Sequence, residues 1–109
     1  MAGKINPRNF VIRKHHRHDL RDWIRANFPF IEEKSTFNYG PEDFKMLEER
    51  ADEIYDACRK VEEIDLRAKS SYADYYKEDW DRIRTAYEKR DFVEMAYALK
   101  TLVDAIDAE

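Results

Sequence analysis

The stretch Gly40-Pro41-Glu42-Asp43-Phe44-Lys45-Met46-Leu47, continuing without a glycine or proline to Lys69, decides the fold of this chain. Pro41 sits where a first helical residue loses no hydrogen bond, and the acids after it favour the positive end of the helix dipole. Apolar residues then recur at Phe44, Leu47, Ala51, Ile54, Cys58, Val61, Ile64 and Ala68. Steps that alternate between three and four mark a helix with one buried seam. The spacing predicts one helix over residues 41–69, a rod of roughly 42 Å that would form the spine.

Working outward toward the C-terminus, Ser71 is placed to cap a third helix, with Asp74 three residues on. That helix carries Tyr72, Tyr76, Trp80, Ile83 and Tyr87 on one stripe, with Tyr75 pointing elsewhere. Asp91 and Glu94 form a second capping pair. The last helix carries Phe92 or Val93, Ala96, Leu99, Val103 and Ile106, with Leu102 at the edge. The link over 88–90 is short, so the last two helices form an antiparallel hairpin. Trp80, Ile83, Tyr87 and Ala96 resemble the core spacing of a tetratricopeptide unit over about a quarter of the chain. Arg84 and Lys100 depart from that pattern. Met46 and Glu49 stand where a copy about 34 residues upstream would need its aromatic and aliphatic positions. The hairpin is read as ordinary helical packing and no family is assigned.

Toward the N-terminus, Leu20, Trp23 and Ile24 predict a short helix over 18–27, ended by Phe28-Pro29. A polar connector over 32–40 follows, pinned to the body by Phe37 and Tyr39. Residues 1–17 read as an arm with an extended segment at Phe10, Val11 and Ile12. The fold class is therefore all-α. A small helical bundle is expected, with a long central helix, a C-terminal antiparallel hairpin, and a short N-terminal helix preceded by an extended basic arm. The division is an arm over 1–17 and one helical domain over 18–109.

Charge is divided unevenly. The first 26 residues hold seven Lys or Arg against two acids, and the remaining 83 hold thirteen against twenty-two. Such a split speaks to partners rather than to fold. Arg8, Arg13, Lys14, Arg17, Arg21 and Arg25 are the residues expected to meet phosphates or an acidic partner. Arg17, Arg21 and Arg25 are four apart and share a helix face. Glu48, Glu49, Asp52, Glu53 and Asp56 form an acidic stripe on the long helix, where like charges repel. The arm would fold onto this stripe, or the stripe would face a basic partner. Tyr72, Tyr75 and Tyr76 are the candidate interface aromatics, with core packing the default for the stripe they lie on.

Chemistry finds little support. His15, His16 and His18 sit among Arg13, Lys14 and Arg17, which repel a metal ion, and the lone Cys58 is far away on the predicted seam. No glycine-rich phosphate loop or nucleophile elbow occurs. The reading is not an enzyme, with no cofactor and no metal. Cys58 is expected to be a buried, inert thiol, and a single cysteine suits a reducing, cytoplasmic setting. No run approaches the roughly 20 apolar residues of a membrane span.

The leading functional expectation is a non-enzymatic interaction protein, an adaptor or inhibitor that docks on a larger protein or complex. In size and helical make-up it resembles small phage-encoded host-modulating factors, by analogy alone. The second expectation is a nucleic-acid-associated regulator that contacts phosphates through residues 4–25. The third is a helical oligomer that binds or sequesters a small ligand. The helical seam leaves a homo-oligomer open.

Overall fold

The computed structural model describes residues 16–109, and the expectations placed on residues 1–15, including Arg8, Arg13 and Lys14, lie outside the described residues. The described chain is all-α. It comprises α1 (His16–Asn27), α2 (Phe30–Glu33), a 3₁₀ turn (Thr36–Asn38), α3 (Pro41–Glu49), α4 (Ala51–Arg67), α5 (Ser71–Tyr75), α6 (Lys77–Glu88) and α7 (Phe92–Asp107). The first helix starts at His16, so the last two residues of the expected arm belong to it.

The expected rod over 41–69 is broken at Arg50, whose φ of −122° and ψ of 22° leave the helical region. A straight rod of that length would exceed the 38 Å long axis of the molecule. The cause lies in tertiary contacts. Arg50 Nη1 donates to Asn27 Oδ1 at 2.8 Å, and its Nη2 donates to Glu53 at 2.7 Å. Its guanidinium also lies 5.3 Å from the Phe28 ring centre and 5.7 Å from that of Trp23. Leu47 and Ile54 are both fully buried across the break. The bend lets α3 pack on α7 while α4 packs on α1 and α6.

A second break falls at Tyr76, with φ −99° and ψ 8°, and divides the expected third helix into α5 and α6. Ser70, not Ser71, is its cap: the Ser70 hydroxyl accepts the Tyr72 N–H at 3.1 Å. Asp91 caps α7 as its position predicts, accepting the Glu94 N–H at 3.0 Å. The α6–α7 hairpin is antiparallel, since Arg82 reaches Glu94 and Thr101 while Tyr76 reaches Ala105 and Glu109. Lys69 and Arg90 close α4 and α6 in the left-handed region, at φ 51° and 56°. The Ser70 N–H then returns to Asp65 O, and the Asp91 N–H to Ala86 O.

The spine is α7, which touches α1, α2, α3 and α6. Its Met95, Ala96, Ala98, Leu99, Leu102, Val103 and Ile106 are all buried. Leu102, expected at the edge, is fully enclosed because helices cover α7 on several sides. Two further expectations change. The seam of α4 ends not on Ile64 and Ala68 but on Asp65, which is 1 % exposed. Of the two connector aromatics only Tyr39 pins the chain. It is buried, packs edge-on to Phe30 and stacks on Tyr97, whereas Phe37 is 95 % exposed.

Candidate functional site

Asp65 stands at the seam position four residues after Val61, so α4 carries a carboxylate into the junction of α1, α4, α5 and the end of α7. The N-terminal turn of α1 supplies the answering charge. Arg17 Nη1 donates to Asp65 Oδ1 at 3.0 Å, and Arg17 Nε donates to Glu109 Oε2 at 2.9 Å. Its guanidinium carbon lies 3.7 Å from the centre of the Tyr72 ring, a cation–π contact shielded from water. Tyr76 donates its hydroxyl hydrogen to Glu109 Oε2 at 2.5 Å. His16 Nε2 is 2.9 Å from Asp65 Oδ1 and 3.3 Å from Arg17 Nη1. A single ring nitrogen cannot donate to one and accept from the other. The shorter contact to a carboxylate assigns the hydrogen to Nε2.

The electrostatics follow from that packing. Burial acts to lower the Arg17 pKa, but the Glu109 hydrogen bond and the Asp65 and Glu109 charges outweigh it and hold it above its ordinary value. Burial acts to raise the Glu109 carboxyl, but the hydrogen bonds from Arg17 and Tyr76 win and keep it below the usual carboxylate range. Burial, reinforced by Glu109, pushes the Tyr76 phenol far above its normal range. Arg17, Glu109 and Tyr76 thus stay in the charge states that hold one another.

The other two arginines expected on phosphates are paired in the same way. Arg21 Nη1 donates to Asp107 at 3.1 Å and Arg21 Nε to Asp22 at 3.1 Å. Arg25 pairs with Glu32 at 2.5 Å and also with Asp107. Arg17, Arg21 and Arg25 therefore share a face, as their spacing predicts, and that face meets acids near the end of α7. They do not reach the acidic stripe of α3 and α4. A phosphate arriving at α1 would have to displace these carboxylates.

The stripe itself is divided by the break at Arg50. Glu48 and Glu49 are exposed on α3, and Asp52 is exposed on α4. Glu53 pairs with Arg50, and Asp52 accepts the Tyr87 hydroxyl at 2.5 Å. Asp56 is half-buried. Of the three candidate interface aromatics, Tyr76 is fully buried core and Tyr72 lies beneath Arg17. Tyr75 is 65 % exposed, touching Tyr76 edge-on at 4.9 Å.

A shallow depression between α4 and α6, floored by Cys58, Trp80 and Ile83, has a volume of about 10 Å³, the room of one water molecule. Cys58 is 4 % exposed, and burial pushes its thiol up to about 12, which makes it a poor nucleophile. Among the described residues, no helix is long and apolar enough to cross a membrane.

One surface element escaped the sequence reading. The loop over 34–40 is held by several bonds. Lys34 Nζ donates to Asp43 Oδ2 at 2.8 Å, and the Gly40 N–H donates to the same oxygen at 2.9 Å. The Asn38 side-chain amide donates to Ser35 Oγ at 3.1 Å, and the Tyr39 hydroxyl donates to Ile31 O at 2.7 Å. Phe37 stands on this braced loop in full contact with water. The polar company of Ser35, Thr36 and Asn38 surrounds the buried Tyr39 as well, so residue order does not tell the two aromatics apart. Asp65, Asp107 and Glu109 were also missed. For Asp65 the signal was an acid on an apolar stripe, which demands a partner. A comparison with protein-family models, with curated proteins and with solved structures finds no match to this chain.

Proposed function

We propose that this chain is a non-enzymatic interaction protein that docks on a larger protein. The observation that supports this reading is Phe37. Single exposed apolar residues are ordinary on protein surfaces. Phe37 differs because the loop beneath it is held by side-chain hydrogen bonds on both flanks and by the stacked ring of Tyr39. The chain thus presents a large aromatic to water from a braced stretch of backbone. Burying it against a partner would gain about 1.5–3 kcal/mol. Leu66 near the end of α4 and Tyr75 at the end of α5, 57 % and 65 % exposed, are further exposed apolar side chains. The ion pairs of Arg17, Arg21 and Arg25 leave α1 less suited to phosphates than to holding the fold.

The test is co-purification of full-length protein from cells that express it, beside a Phe37→Ser variant. The expected outcome is a stoichiometric protein partner retained by the wild type and lost by the variant, with unchanged melting temperature. Equal retention by both would reject Phe37 as the docking element.

A further inference from the structure

We infer that Phe37 anchors docking into an apolar cleft set in a basic protein surface. The inference rests on the docking reading above and adds the chemistry of the partner. Its first ground is pre-organisation. The 3₁₀ turn that carries Phe37 is closed by the Asn38 N–H to Ser35 O at 2.9 Å and fixed at both ends through Asp43. Inserting the ring into a cleft therefore loses little loop freedom, the condition under which one aromatic contributes a large share of an interface.

The second ground is the charge of the segment that carries the ring. Residues 32–49 hold six acids against two lysines. Lys34 and Asp43 neutralise each other and Glu32 is taken up by Arg25, which leaves four acids against Lys45. Glu42 folds back over the loop, so that a methyl group placed on Gly40 would meet Glu42 Oε1 at 2.5 Å. Glu33 is exposed on the other flank, and Glu48 and Glu49 are exposed farther along α3. A negative segment repels nucleic-acid phosphates, anionic lipid and acidic proteins, and it attracts a basic surface. An aromatic knob on an acidic segment is complementary to an apolar cleft set among Lys and Arg.

The probe is a displayed library of a small folded scaffold with randomised surface positions. It is selected on the full-length protein and counter-selected on Phe37→Ser. The inference expects Phe37-dependent binders with net positive, apolar-centred surfaces. Their affinity should fall about 10- to 100-fold on Phe37→Ser and survive Phe37→Trp. It should also fall on the Glu33→Lys/Glu42→Lys double change and weaken as salt rises. Phe37-dependent binders that are neutral or acidic would overturn the partner chemistry while leaving the docking reading standing. Selection that yields no Phe37-dependent binder would overturn both. Two controls name the other occupants. Phe37-dependent binding to vesicles of phosphatidylcholine and phosphatidylserine would overturn the inference in favour of lipid. Self-association that Phe37→Ser abolishes would overturn it in favour of a second copy.

Discussion

Asp65 is an acid on a helix stripe otherwise built of Ile54, Ala57, Cys58 and Val61. Its side chain is 2 % exposed and that of Arg17 is 11 % exposed, so neither charge is well served by water. Removing one partner of such a pair costs about 3–5 kcal/mol where the other is left uncompensated; Arg17 keeps Glu109, so the low end of that range applies. Asp65→Ala is therefore expected to lower stability by about that amount in urea unfolding. Adding Arg17→Met and Glu109→Gln to Asp65→Leu is expected to cost less than the single change, since it removes the three paired charges together and keeps the volume. A combined change as costly as Asp65→Ala would show that packing, not the lost charge pairing, sets the penalty.

Glu109 sets a pH dependence at the same scale. Its folded pKa is depressed, so its contribution is fully present above its unfolded pKa and is lost as pH falls through the folded value. Asp43 acts in the same direction. Burial opposes its ionisation, but the Lys34 hydrogen bond and the Gly40 N–H outweigh burial. The melting temperature should thus fall steadily below about pH 4.5, near the unfolded glutamate value. Glu109→Gln, which still accepts from Tyr76, should flatten part of that acid limb.

Among the elements, both breaks sit at side chains anchored by tertiary contacts rather than at glycine or proline. At Arg50 the anchor is a guanidinium shared by Asn27 and Glu53, and at Tyr76 it is a hydroxyl directed to the end of α7. The apolar stripe keeps its spacing through Leu47, Ala51 and Ile54, so periodicity alone gives no sign of the first break. Capping, in contrast, is a local matter. Asp91 lies beyond the left-handed Arg90, and its carboxylate takes the Glu94 N–H. Asp91→Ala is expected to cost about 1 kcal/mol, measured by urea unfolding, with helix content unchanged at low temperature.

For the whole molecule, α7 is the element on which the others converge. Leu102 is fully buried, whereas Val93 on the same helix is 43 % exposed. Leu102→Ala should cost about 2–5 kcal/mol through the cavity it opens, and Val93→Ala no more than about 0.5 kcal/mol. Comparison of their melting temperatures checks this. Against a total stability on the order of 5–15 kcal/mol, the first change removes a large share.

The all-α class, the C-terminal hairpin, the Asp91 cap and the buried Cys58 are legible in residue order, because helical periodicity and capping are set by neighbours within a turn or two. The common face of Arg17, Arg21 and Arg25 is legible for the same reason. Which carboxylates answer that face is not. Asp65 is 48 residues from Arg17 and Glu109 is 92 residues from it, and only the packing of α1 against α4 and α7 brings them together. The breaks at Arg50 and Tyr76, the burial of Leu102 and the exposure of Phe37 belong to the same level. Each depends on what stands opposite a residue in space, and local spacing carries no record of that.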